Sequence, residues 1–183
     1  VRLVLVLGGA RTVWEDVEAA LDLTEVQGIV ACNDVGAAWP GDLDGWATLH
    51  GEHMARWAAE RARAGYPPCP VILGHTERRA GRHFPALTGT TEFKFPGQTQ
   101  SGSSGLFALK VALTDLGFDK AILCGVPMEP AGKHFFDAKE WRGAHAHKQG
   151  WKEALPEVAT RARSMSGWTA DLLGQVTEDW LTG

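Results

Sequence analysis

The run Ser101-Gly102-Ser103-Ser104-Gly105 is the segment whose residue types most clearly suggest chemistry. It opens an apolar helix-like stretch, and the first N–H groups of any helix lack intrahelical partners. Small side chains around them let a phosphate or carboxylate approach the backbone closely. The alternative is an ordinary helix start capped by its serines. The run has neither a Walker lysine nor the Gly-x-Gly-x-x-Gly fingerprint, so it suggests an anion pocket and identifies no common nucleotide fold. Asn33 and Asp34 follow a short apolar run. They can bond a base edge or a ribose, or make an Asx turn into Gly36.

Other polar groups gather less tightly. Arg78, Arg79 and Arg82 with His83 form a basic cluster that either clamps a phosphate or another protein's carboxylates or is simply solvated. The pairs His50/His53 and His145/His147 have spacings that share a face in a helix and a strand respectively. Neither has a carboxylate or cysteine at a diagnostic distance, so no metal site is assigned. Mg²⁺ accompanying a nucleotide would need only one or two of Asp34, Asp42, Asp44 and Glu129. Of the eight tryptophans, Trp39, Trp141 and Trp168 are the expected exposed stacking surfaces. Cys32 and Cys124 lie at apolar strand ends and read as unreactive.

The elements that must position these groups alternate. Residues 1–7 are a Val/Leu run ended by Gly8-Gly9, the pattern of a parallel strand buried on both faces. Thr12 is placed to cap a helix over 14–21, and a strand follows at 28–32. Further strands are expected at 46–50, 70–75, 121–124 and 159–165, with helices at 53–64, 106–118 and 147–155 and short ones from 166 and 177. Long irregular loops cover 76–102, with a short extended piece at 91–95, and 127–145. The expected fold is a single α/β domain over 1–183: a Rossmann-like, open, mostly parallel sheet of about six strands with helices on both faces. Functional loops then collect at the carboxyl ends of the strands. The Ser101 run precedes its helix, so it reaches that rim only through an irregular approach.

The 183 residues are 44% apolar and 22% charged, enough for a full core, and the formal charge of −4 offers no basic field for duplex nucleic acid. Three cysteines imply no disulfide framework, and the first apolar run is too short for a membrane span and unlike a signal peptide. A cytoplasmic protein is expected.

Gly8-Gly9-Ala10-Arg11-Thr12, then Cys32-Asn33, then Ser-Gly-x-x-Gly leading through Leu116-Gly117-Phe118 to Gly125-Val126 together resemble the sialyltransferase-like and MptE-like Rossmann proteins, including small prophage-encoded members. The resemblance spans roughly residues 1–170. It implies that Gly8, Gly9, Arg11, Thr12, Asn33, Asp34 and the run from Ser101 to Gly105 surround a nucleotide or nucleotide-sugar. It further implies that His134 is the catalytic base, since an imidazole titrating near about 6.5 can take a proton from an acceptor hydroxyl. Gly125-Val126-Pro127 stands where such proteins commonly carry Gly-x-Asp, and Ala10-Arg11 where they tend to have Asn and Pro. The expected activity is a glycosyltransferase-like transfer from a nucleotide-activated donor. A non-catalytic binding or phage assembly module, meeting a partner protein through the long loops, is the alternative; a Mg²⁺-dependent diphosphokinase is a third.

Overall fold

A computed structural model of the chain describes residues 1–76, 83–129, 132–137 and 140–183. Strand β1 (Leu3–Leu7) is buried along its whole length. Its side chains divide cleanly, since successive residues of a strand point to opposite faces. Leu3, Leu5 and Leu7 enter one apolar core and Val4 and Val6 the other. The leucine face is covered by α1 (Val13–Leu23), α2 (Val35–Ala38) and α3 (Gly51–Arg63), and the valine face by α4 (Ser103–Lys110) and α5 (Ala144–Val158).

The sheet is completed by β2 (Gly28–Cys32), β3 (Gly45–Ala47), β4 (Ile72–His75), β5 (Gly89–Thr91), β6 (Lys120–Cys124) and β9 (Ala162–Ser164). Its seven strands run β5-β4-β3-β2-β1-β6-β9, and every neighbouring pair is parallel. This is an open Rossmann-like α/β sheet with one strand more than the sequence suggests. The extra strand is β5, a Gly-Thr-Thr edge too short and too polar to show periodicity. The expected extended piece at 91–95 starts at its last residue, Thr91, and is otherwise not strand. A separate antiparallel pair, β7 (Gly132–Lys133) with β8 (Glu140–Trp141), rises from the loop after β6. The chain closes with α6 (Gly167–Leu173) and α7 (Glu178–Thr182).

Two buried ions brace this frame. The Arg61 guanidinium, 2% exposed, donates to the carbonyls of Gly36, Trp39, Gly41 and Pro67, tying α3 to the end of α2. On the other face, α4 continues as a wider π-helical turn, Val111–Asp115. That turn sets Lys110 over Asp115, with Nζ 3.0 Å from the carboxylate and 2.7 Å from the Thr91 hydroxyl, so the edge strand is held to the helix. Among the described residues no helix is long and apolar enough to cross a membrane.

Candidate functional site

Strands β2 to β5 are laid down to one side of β1, and the chain then returns to place β6 on the other. Parallel sheets open a crevice where the strand order reverses in this way. A cleft of about 800 Å³ lies there, lined by Gly8 and Gly9 after β1, Asn33 and Asp34 after β2, and Gly125 and Val126 after β6. The irregular segment from Phe93 brings Ser101, Ser103, Ser104 and Gly105 to the same rim. Glu153 of α5 holds that segment by accepting from the N–H groups of Thr99 at 2.7 Å and Gln100 at 2.8 Å. Those two bonds and a third from Gln149 draw its carboxyl down to about 2.

The glycine loops form the floor, and their own amides are already engaged. The N–H groups of Gly8, Ala10 and Arg11 donate to the carbonyls of Cys124, Gly125 and Lys133 at 2.8, 3.1 and 2.8 Å. The Gly9 backbone bonds the Cys32 thiol, which burial first and Asp34 second push up to about 12. Gly125 N–H donates to Asp16 Oδ2 at 2.8 Å. The first loop therefore shapes the cleft without supplying anion donors. Arg11 is exposed, and neither it nor Thr12 lines the cleft. Thr12 makes no side-chain cap; its hydroxyl donates instead to Asp16 Oδ2 at 3.1 Å.

Free donors are found at the start of α4. Its N-cap is Gly102, which has no side chain to cap with and lies off the cleft against Leu106. Ser103 N–H is taken by Ser101 Oγ at 3.2 Å. The amides of Ser104 and Gly105, at positions that no helix can satisfy internally, find no acceptor among the described residues. The Ser104 side chain lines the same wall, is 9% exposed, and its hydroxyl makes no hydrogen bond among the described residues. Three described non-glycine residues have positive φ: Asn33 at 51°, Ser103 at 71° and Met128 at 52°. All three line this cleft. Such conformations cost about 1–3 kcal/mol each and concentrate at functional sites.

Across the cleft His134 Nε2 lies 3.3 Å from Asp34 Oδ1, with the two side chains 29% and 20% exposed. The imidazole is seated by an isolated bridge to Ala10, by the Phe135 N–H bond to Gly9 O at 3.0 Å, and by Phe136 at 4.1 Å between ring centroids. It lies so close over Gly9 that a Cβ there would sit 2.7 Å from Nε2. Asn33 does not close an Asx turn; its Oδ1 accepts from Thr48 at 2.9 Å, which leaves its amide N–H pair outside the frame. The arrangement offers open backbone donors at the start of α4 and, facing them, an imidazole 3.3 Å from a carboxylate.

Other expectations sort themselves by position. Asp34 and Glu129 line the cleft, whereas Asp42 and Asp44 do not; Asp44 accepts from the Ile29 N–H at 2.8 Å. His145 and His147 fall on a helix, where two residues apart means nearly opposite faces. His50 and His53 stack at 6.0 Å. No group of three or more His, Cys, Asp or Glu able to hold a metal occurs among the described residues. Arg78, Arg79 and Arg82 lie outside the described residues. Trp141 is 39% exposed and lines the cleft, while Trp39 and Trp168 are half-buried and Trp14 is exposed instead. Lys133, unremarked in the sequence, also lines it; its only signal was adjacency to His134.

Fold and cleft define the chain as an open parallel α/β protein of Rossmann-like architecture with a cleft at the strand-order reversal. Compared with protein-family models, curated proteins and solved structures, the chain matches none of them.

Proposed function

We propose that the chain is a nucleotide-binding transferase of the sialyltransferase-like kind, taking a glycosyl group from a nucleotide-activated donor. The observation that carries this reading is the pair of open amides at Ser104 and Gly105 with the unbonded Ser104 hydroxyl, facing the same cleft as His134 and Asp34. The donor's phosphate binds these groups, where the helix dipole favours negative charge. Asp34 relays the proton of an acceptor hydroxyl to His134 Nε2, which lies 3.3 Å from its Oδ1, and the acceptor oxygen forms a bond to the donor's anomeric carbon. The bond from that carbon to the phosphate oxygen breaks, and the leaving charge stays at the start of α4. Asp34 stabilises the imidazolium. A reducing, cytoplasmic setting belongs to the same proposal and is supported by three buried free cysteines.

A non-catalytic nucleotide- or partner-binding module is the second reading, favoured by Pro127 in place of a carboxylate and by the engaged amides of the first glycine loop. Thermal unfolding with CMP, CDP, UDP, GDP, ATP and CMP-sialic acid, with and without Mg²⁺, tests both. One nucleotide should raise the melting temperature, and Ser104→Ala should weaken its binding about fivefold. His134→Ala should then abolish transfer while retaining binding. A requirement for Mg²⁺ with ATP alone would point to a diphosphokinase. No shift with any nucleotide would refute the transferase and leave the partner-binding module.

A further inference from the structure

Trp141 is a large aromatic residue that the proposed chemistry does not use. One face of its indole is backed by His147, whose ring is nearly parallel, 14° between planes and 5.9 Å between centroids. No other ring packs on Trp141 among the described residues, and its side chain lines the cleft at 39% exposure. Gly143 also lies against the indole, where a Cβ would sit 2.8 Å from Nε1. The part of the ring surface that lines the cleft is a platform for another flat ring.

The platform belongs to the same rigid frame as the open donors at the start of α4, the anion cradle of the proposed chemistry. His147 Nδ1 lies 3.2 Å from Ser101 O, and Ser101 Oγ in turn accepts the Ser103 N–H. Helix α5, which carries His147, packs backbone to backbone on this segment at Gly150, where a Cβ would sit 2.5 Å from the Ser101 carbonyl carbon. Cradle and platform therefore keep a fixed spacing. A ligand with anionic groups at one end and a flat aromatic ring at the other matches both features at once. Resting on the nucleotide reading above, we infer that Trp141 stacks the nucleobase of the bound nucleotide, whose phosphates occupy the start of α4. The base then lies on the β7–β8 side of the cleft, and Asn33 and Asp34 are left to the reacting sugar and the acceptor.

Stacking accepts any base and strengthens with ring area, so the platform favours purines modestly and excludes none. Calorimetric titration of wild type, Trp141→Ala and Trp141→Phe with ADP, CDP and pyrophosphate tests the inference. Both nucleotides should bind wild type more tightly than pyrophosphate does. Trp141→Ala should weaken ADP and CDP about tenfold, ADP the more, and leave pyrophosphate unchanged; Trp141→Phe should retain most of the affinity. Nucleotide affinities unaffected by Trp141→Ala would overturn the inference and leave the nucleotide reading standing. Pyrophosphate weakening in step with the nucleotides would overturn it as well, since that marks a disturbed frame. Absence of binding by all three ligands to folded protein would overturn both readings.

Discussion

Replacing Asp16 by alanine should be strongly destabilising, although Asp16 does not itself line the cleft. Asp16 sits in the first turn of α1, is 7% exposed, and uses one oxygen to accept from three donors. These are Ser166 Oγ at 2.7 Å, Gly125 N at 2.8 Å and Thr12 Oγ1 at 3.1 Å. A hydrogen bond to a charged group contributes about 1.5–3 kcal/mol, and a buried donor left without an acceptor costs about 1–3 kcal/mol. The Gly125 amide is buried and bears the full loss, whereas the two hydroxyls are half-buried and recover part of theirs from water. The sum is about 3 kcal/mol. With a urea m-value of about 2 kcal/mol/M, the midpoint should fall by about 1.5 M. The melting temperature should fall by about 6–12 °C. Asp16→Asn keeps an acceptor oxygen and should lose roughly half as much. Equilibrium urea unfolding of the three proteins, followed by two independent probes, measures this. An Asp16→Ala midpoint within about 0.2 M of wild type, corresponding to under about 0.5 kcal/mol, would refute the view that this carboxylate holds the floor of the cleft.

Glu153 should make stability acid-sensitive. Its folded carboxyl is held at about 2 against an ordinary 4.5 by the Gln100, Thr99 and Gln149 bonds, so its contribution is complete above 4.5 and disappears as pH falls towards 2. The stability difference between wild type and Glu153→Gln should shrink over that window; a difference constant from pH 6 to 2 would contradict it. The cysteines should be inert to a thiol reagent at pH 8 in folded protein and all react on denaturation, because burial raises Cys32 to about 12, Cys69 to about 11 and Cys124 well above its ordinary value. Gly150→Ala should destabilise more than Gly9→Ala in chemical denaturation. The first drives a Cβ into backbone at 2.5 Å and should cost about 1–3 kcal/mol. The second meets only the tip of the His134 ring at 2.7 Å, which can move aside, so its main effect should be to separate His134 from Asp34.

Much of the architecture was legible because β1 and β6 are apolar on both faces, which only a covered parallel sheet explains, and because polar residues recur just past strand ends. The Ser101 run, which precedes its helix, lies at the rim by way of the irregular segment from Phe93. What stayed hidden depends on contacts distant in sequence. Asp16 reads as a solvent-facing acid favourable at a helix start, and only Ser166, 150 positions away, and Gly125 reveal its burial. The resemblance placed the first glycine loop around a nucleotide, but no local pattern shows where its N–H groups are spent. The facing of His134 and Asp34 depends on the bridge to Ala10, which no local pattern announces. Strand β5 and the β7–β8 pair are two or three residues long, below the length at which alternation is readable.

The widened turn at Val111–Asp115 has a consequence for how α4 presents its first residues. A regular helix closes on residues four apart, whereas this turn closes on residues five apart, the Leu116 N–H donating to Val111 O at 3.0 Å. The wider turn thus absorbs one residue without changing the facing of the turns before it, and Lys110 meets Asp115 five positions on as residues four apart meet in a regular helix. Deleting one residue of 111–114 should leave that pair four apart and still facing, with Ser104 and Gly105 kept toward the crevice. The bearing of the open amides is insulated from a one-residue change of length two turns away.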